Sequence, residues 1–275
     1  TNDLTHSVGN VGIGTTTPKT TFHIADGERV LWGTDTLGAG FKLMFLPDLK
    51  AFRVGNINSG AASTYWNRDS IGQYSFASGY NTRAQGFGAT AMGRDCEGYG
   101  SYSFASGYFT NADGLYSTAM GFNTDARATG SVALGYNADA DADYSVGIGY
   151  SADAQAQYSV AIGNYARAQS YSSMAIGRYN TGGGDATAWV VTDPIFEIGI
   201  GSSSARNNAM TVLKNGNVGI GTTTPAQALQ VNGQIRFSGA EYLVDGGSNE
   251  IECRAVMRPS DDNLYDLGTS TRRWD

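Results

Sequence analysis

"YSVAIGNYARAQSYSSMAIG", residues 158–177, ends almost as it begins: Ser-Xaa-Ala-Ile-Gly stands at 159–163 and again at 173–177. The repetition extends far beyond this stretch. Gly79, Gly93, Gly107, Gly121, Gly135, Gly149, Gly163 and Gly177 follow one another at intervals of 14 residues without a slip. Two residues before each glycine stands a minimal side chain: Ala77, Ala91, Ala105, Ala119, Ala133, Gly147, Ala161 or Ala175. Four before it is Ser in seven copies and Ala89 in the other, and five after it come Ala84, Gly98, Ala112, Ala126, Ala140, Ala154 and Ala168. A short fixed period of this kind is the signature of a solenoid, in which each repeat packs only on its neighbours. The period is too short for a helical hairpin and alternates too strictly for one helix. Each repeat therefore reads as a coil of two strands, about four or five residues each, joined by tight turns. Proline is absent between Pro47 and Pro194, as a continuous hydrogen-bonded ladder requires.

Coils stacked at ~4.8 Å make a parallel roll, about 38 Å long over the repeats. So thin a coil has room inside for little beyond Ala, Ser and Gly. In a strand, the residues three and one before each Gly face away from the small Ala. They read Phe76/Ser78, Thr90/Met92, Phe104/Ser106, Thr118/Met120, Val132/Leu134, Val146/Ile148, Val160/Ile162 and Met174/Ile176. This is a bulky, mostly apolar stripe that the interior cannot accommodate. Burying its apolar members at ~1.5–2 kcal/mol each is worth roughly 20 kcal/mol per chain, an upper bound. Left in water it would be adhesive. The stripe is therefore expected to pack on the same stripe of other chains, with Val132, Leu134, Val146, Ile148, Val160, Ile162, Met174 and Ile176 at the interface.

Composition narrows the class. The chain has 275 residues, of which 38 are Gly, a net charge of −7, and no Lys between Lys50 and Lys214. No basic run points to nucleic acid or to an anionic membrane surface. No apolar stretch is long enough to span a membrane, and the first ten residues lack signal-peptide order, so neither membrane insertion nor a cleaved leader is expected. Cys96 and Cys253 show no metal-ligand spacing and read as free thiols.

The run Ser159-Val160-Ala161-Ile162-Gly163-Asn164-Tyr165-Ala166-Arg167-Ala168 and its neighbours resemble the head repeats of YadA-like trimeric autotransporter adhesins. The likeness spans about residues 71–180. It implies an all-β fold: a left-handed parallel β-roll of 14-residue coils in an obligate homotrimer. Ser78 and Ser106 stand where Ile is usual, and Phe76 and Phe104 where Val is usual, so looser packing is expected in the early coils. "NVGIGTTTP" occurs at 10–18 and again at 217–225, each copy followed by an alternating stretch, and reads as a strand leaving through a turn. These segments, and "DPIFEIG" at 193–199 running on to "TVLKNGNVGIG" at 211–221, are similar to parts of bacterial surface fibres and phage-type tail fibres. "RPSDDNLYDLGTSTRRWD", 258–275, resembles the segment before the self-cleaving intramolecular chaperone domain of tail-fibre proteins. The expected organisation is a β-rich leader over residues 1–70, the roll over 71–180 and a connector of short strands over 181–275. "FKLMFLPDLKAFRVG", 41–55, reads as two strands around a turn.

Nothing patterned suggests catalysis or a cofactor. His6 and His23 have no nucleophile or paired carboxylate beside them, and "GIGTTTP" lacks the Lys-Ser/Thr ending of a phosphate loop. Asp125, Asp139 and Asp153 fall in one column, with Asp141 and Asp143 beside it and Arg127 and Arg167 able to neutralise part of it. They read as a solvated acidic face, with a divalent-cation site as the alternative. Tyr80, Tyr108, Phe122, Tyr136 and Tyr150 follow the repeat Gly, and Tyr74, Tyr102, Tyr116, Tyr144 and Tyr158 begin coils. Stacked rings of this kind cover turns. Those after the Gly are also candidates to contact a glycan or protein ligand, because rigid amphipathic rings bind at low entropic cost. The functional expectation is an extracellular homotrimeric fibre that attaches to a host-surface glycan or protein receptor, in the manner of a tail fibre. The head of a bacterial surface adhesin and a purely structural spacer are the alternatives.

Overall fold

The structure, a computed structural model, describes residues 4–7, 9–20, 22–24, 30–33, 39–233 and 235. The chain divides into two compact units, Thr1–Gly233 and Gln234–Asp275. Apart from Ile235, the second unit lies outside the described residues, and with it Cys253 and the tail-fibre-like stretch 258–275.

Among the described residues every long element is a β-strand, and the sole helical turns are two short 3-10 segments, Ala61–Thr64 and Arg68–Ser70. The repeat forms a β-solenoid. Each coil contributes one five-residue strand, for example Val146–Tyr150, and one of only two residues, for example Asp153–Ala154. The second strand is shorter than its alternation suggested because a left-handed residue stands in each of the two turns that flank it. One of these is at Asn81, Asp95, Phe109, Asn123, Asn137, Ser151, Tyr165 or Tyr179, the other at Tyr74, Gly88, Tyr102, Tyr116, Gly130, Tyr144, Tyr158 or Ser172. Long strands stack parallel and in register, Gly on Gly and Ala on Ala, and the short ones form a second, seven-stranded parallel sheet.

The glycine column has a steric cause. At Gly135, φ is +132° and an added Cβ would lie 2.1 Å from the carbonyl oxygen of Gly149, and every glycine of the column meets the next in the same way. No larger residue fits between coils at this spacing. The interior consists of Ala77, Ala105, Ala133 and their counterparts facing Ala84, Ala112 and Ala140, all without solvent exposure beyond 1 %. It also holds a column that the sequence reading left out: Thr82, Cys96, Thr110, Thr124, Ala138, Ala152, Ala166 and Asn180, all buried. Cys96 is a free thiol there, its Sγ directed at the carbonyls of Arg94 and Gly107. The turn before the long strand comes in two versions. In early coils Gly86, Gly100 and Gly114 occupy a place where a Cβ would strike the next coil. In later coils Ala128, Ala142 and Ala156 take it, and the N–H of each donates to the hydroxyl of Ser131, Ser145 or Ser159.

The sheet of long strands does not stop with the repeat. Ala51–Ile57 adds to it in parallel, Gly55 beside Gly79, and is itself the second arm of a hairpin with Gly40–Leu46. At the far end Pro194–Ile200 pairs in parallel with Met174–Arg178, Gly199 beside Gly177, so the loop after Thr181 returns to register. Asn208–Leu213 and Val218–Ile220 then extend the sheet antiparallel, and Leu229–Val231 closes a run of fifteen strands.

Each end of the Ala column is closed by a buried charge. Arg53, level with Ala77, has no exposure; its guanidinium donates to the carbonyls of Ser75 (3.0 Å) and Ala84 (2.9 Å) and to the Ser75 hydroxyl (2.6 Å). Beside it Trp66 Nε1 donates to the Thr82 carbonyl at 2.7 Å. At the other end Glu197, level with Ala175, accepts from Asn180 Nδ2 (2.7 Å), Asn208 Nδ2 (2.6 Å) and the Gly182 N–H (3.1 Å). Asn180 also imitates a further strand: its Oδ1 accepts from the Arg167 N–H at 2.7 Å and its Nδ2 donates to the Arg167 carbonyl at 2.8 Å. Exposed ladder groups at a solenoid end need such partners.

The two "NVGIGTTTP" copies fold alike. Asn10–Ile13 and Val218–Ile220 each pair in parallel with a strand just downstream, Phe22–Ile24 and Leu229–Val231. Asn10 Nδ2 donates to the Pro18 carbonyl and Asn217 Nδ2 to that of Pro225. The N–H of Lys19 donates to His23 Nδ1, and that of Ala226 to Gln230 Oε1. The first copy stands in its own three-stranded sheet, whereas the second is part of the long sheet.

Candidate functional site

The long-strand face carries the stripe. Val132, Val146, Val160 and Met174 stack in one column and Leu134, Ile148, Ile162 and Ile176 in the next. All are partly exposed in the single chain, Met174 to 37 %, while Ala133, Ala161 and Ala175 between them are at 0 % and Gly147 is likewise buried. The stripe is longer than the repeat: Phe52 and Val54 prolong it at one end, Phe196 and Ile198 at the other. Phe52 stacks on Phe76 with ring centroids 5.7 Å apart. The flanking members were hidden because "AFRVG" and "IFEIG" obey the column rule without the 14-residue spacing.

The turn after each long strand carries a ladder of flat groups. Tyr108, Phe122, Tyr136 and Tyr150 stack with centroids 5.2, 4.7 and 4.9 Å apart, and the ladder runs on through Tyr165 (5.4 Å) to Tyr179 (4.6 Å). Tyr80 belongs to it through Arg94, whose guanidinium carbon lies 5.3 Å from the Tyr80 ring and 5.1 Å from that of Tyr108. Rings and cation together form a continuous strip, exposed at Arg94, Phe122, Tyr136 and Tyr150 and half-buried at its other members, to which Tyr165 and Tyr179 belong although they come one residue later in their coils.

Beside this ladder lies a polar groove of about 360 Å³, with Asn123, Asn137, Ser151 and Tyr165 on one wall and Asp125, Asp139, Asp153 and Arg167 on the other. The acids stack in register. Arg127 makes ion pairs with Asp125 and Asp141 and lies 3.6 Å from Asp139, while Arg167 lies 3.9 Å from Asp153. Burial pushes the Asp139 carboxyl up to about 6; Arg127 opposes the shift, and Asp141, Asp125 and Asp153 add to it. Burial likewise raises Asp153, with Asp141 adding to it and Arg167 and a 2.7 Å hydrogen bond from Gln155 opposing. Arg127 thus stands where a cation would, and among the described residues no three His, Cys, Asp or Glu side chains converge on a metal position. Among the described residues no helix is long and apolar enough to cross a membrane.

The family model described as YadA head domain repeat (2 copies) matches residues 70–95, 99–124, 126–152, 140–166 and 154–180. Residues 70–180 carry YadA head repeats. The matched stretches coincide with the solenoid and make up less than half of the chain. The YadA head repeats make this part of the chain similar to the heads of adhesin-like surface fibres. No curated protein matches the chain.

Proposed function

We propose that the chain is an attachment module of a homotrimeric extracellular fibre, a tail-fibre-like receptor-binding protein whose receptor is a host-surface glycan or protein. One observation carries the assembly: an apolar stripe of about ten strands, some 45 Å long at ~4.8 Å per strand, stands half-exposed on a coil whose interior admits only small side chains. Three copies of Val132, Leu134, Val146, Ile148, Val160, Ile162, Met174 and Ile176 facing one another would remove it from water. The attachment half of the proposal rests on Tyr80, Tyr108, Phe122, Tyr136 and Tyr150, a rigid ladder beside a charged groove, a combination suited to the faces and hydroxyls of sugars.

The test has two arms. Sedimentation equilibrium should return three chains; a monodisperse single chain would remove the assembly. The purified trimer should adsorb to host cells or a glycan array, and Tyr136→Ala with Tyr150→Ala should weaken adsorption at least tenfold. Retained adsorption would take the receptor off this face. A structural spacer draws support from the two "NVGIGTTTP" hooks, since like connectors on both sides of the solenoid suit a fibre built of repeated segments. A trimer that adsorbs to no cell or glycan would favour that reading.

A further inference from the structure

The turn leading into each long strand carries a second ladder, and this one is broken. Tyr74, Phe87, Tyr102 and Tyr116 follow at centroid distances of 5.1, 5.4 and 5.4 Å; Tyr144, Tyr158 and Tyr171 follow at 5.5 and 5.6 Å. The rung between Tyr116 and Tyr144 is missing for a reason visible in the chain. Three coils lack Tyr at the left-handed position: Ser172, where the preceding Tyr171 supplies the ring, and Gly88 and Gly130, both with φ +65°. At Gly88, the preceding residue is Phe87, and it supplies the ring. At Gly130, the preceding residue is Thr129, which has none. Tyr144 packs its ring edge over Gly130, Cδ1 2.8 Å from where a Cβ would stand, so residue 130 itself puts no side chain into the interval. Tyr116 and Tyr144 are 58 % and 53 % exposed.

We propose that this interval is a binding site for the guanidinium group of an arginine side chain presented by a protein or peptide partner. Tyr116 and Tyr144 are 28 residues apart, two coils, the same separation as Tyr80 and Tyr108. Between that second pair the chain places its own guanidinium, Arg94, at 5.3 and 5.1 Å from the two rings. Arg83 repeats the arrangement between Tyr65 and Tyr99, at 5.1 and 4.8 Å. The ends of the broken ladder face cations as well: Lys50 Nζ is 4.7 Å from the Tyr74 ring and Lys214 Nζ 5.9 Å from that of Tyr171. Ring faces attract a cation through their quadrupole, Arg most often.

Charge at the rim points the same way. Asp143, next to Tyr144, holds its carboxylate on the Thr129 N–H at 3.1 Å and keeps further lone pairs free for a donor fork. The nearest basic side chain in the sequence, Arg127, is already paired with Asp125 and Asp141. The chain as a whole carries −7. A neutral pyranose could use the same two faces but would draw nothing from the carboxylate. The inference holds whether or not the first ladder meets a receptor, because it uses other residues on the other turn.

The experiment is saturation-transfer NMR on the full chain with Nα-acetyl-arginine amide, and with methyl glucoside as the neutral probe. Transfer to the arginine side-chain methylenes is expected, with a dissociation constant of roughly millimolar for a lone cation between two rings. Thr129→Phe restores the rung as Phe87 does and should weaken binding at least about tenfold, while Asp143→Asn, which keeps the acceptor for Thr129, should weaken it about threefold. Three results would overturn the assignment. One is absence of transfer to the arginine amide, or transfer unchanged in both variants. Another is transfer to the glucoside alone, which would make the interval a sugar slot. The last is a change of mass on Thr129→Phe in sedimentation equilibrium, which would make it a contact between copies of this chain.

Discussion

The glycine column makes the most stringent demand on the fold, and Gly135→Ala tests it. The added methyl would stand 2.1 Å from the Gly149 oxygen and 2.9 Å from its carbonyl carbon. Ordinary contact begins near 3.4 Å, so the two coils must part by about 1 Å. The bonds that join them at this point, Val132 N to Ser145 O at 2.9 Å and Ser151 N to Tyr136 O at 2.8 Å, would then be stretched out of range. Two or three such bonds at ~1 kcal/mol each, plus ~1–2 kcal/mol for Ala at positive φ, give a loss of about 3–5 kcal/mol per chain. Gly216→Ala is the matched control: φ is +91° there but nothing lies within 4 Å, so only the backbone strain of ~1 kcal/mol applies. Urea unfolding with unchanged slope reads both. If Gly135→Ala cost no more than Gly216→Ala, the coils would not be stacked in this register, and every column assigned here would be wrong.

Ile148→Ala probes the stripe: buried against two other chains it should cost ~2–4 kcal/mol per copy and dissociate the trimer at micromolar concentration, whereas on a solvent-facing stripe it would cost under ~0.5 kcal/mol, and sedimentation equilibrium separates the two. Asn180→Ala leaves the Arg167 N–H and carbonyl and one Glu197 oxygen without their partner, a loss of about 3–5 kcal/mol, with the last coil exchanging its amides first in hydrogen-exchange measurements. Asp139, raised to about 6, holds its proton more tightly folded than unfolded. Its contribution to stability is therefore complete below about pH 4 and lost as pH rises through about 6. Asp139→Asn should raise the melting temperature at pH 8 and leave it nearly unchanged at pH 4; equal effects at both would show that the carboxyl titrates normally.

The columns were legible because a solenoid writes its geometry into the sequence once per coil: a residue forbidden by contact with the next coil is forbidden at every copy, so the Gly135 column announces itself eight times and the Ala133 column seven, with Gly147 in the remaining coil. What the sequence concealed occurs once or in altered spacing. Arg53 and Glu197 occupy places in the Ala column, yet nothing in "AFRVG" or "IFEIG" says that the larger residue points inward. Only the absence of a next coil makes room for it. Asn180 ends the Thr/Cys/Ala column for the same reason. The left-handed turns were overlooked because Tyr is a poor residue for positive φ; Gly88 and Gly130 in the Tyr column were the available clue. Of the candidate site, the ring column after the repeat Gly was visible, but Tyr165 and Tyr179 enter the ladder from the next position, and Arg94, which is not aromatic, enters it through the flat face of its guanidinium.

That substitution bears on how such a molecule acquires function. The interior of each coil is Ala, Ser and Thr, which bury too little apolar surface to decide stability alone. The strands are held by ladder hydrogen bonds, by rings stacked at the turns and, in the proposed trimer, by the outward stripe. A rung can therefore be a tyrosine, a phenylalanine or an arginine without disturbing the backbone, as Tyr80, Phe122 and Arg94 demonstrate within a single column. Turn faces are thus free to vary while the glycine and alanine columns are not. A rung omitted, as at Thr129 and Gly130, costs the fold little because Gly meets the left-handed conformation better than Tyr does. It also leaves two ring faces open, so recognition can change by one residue at a turn while the register of the coils stays fixed.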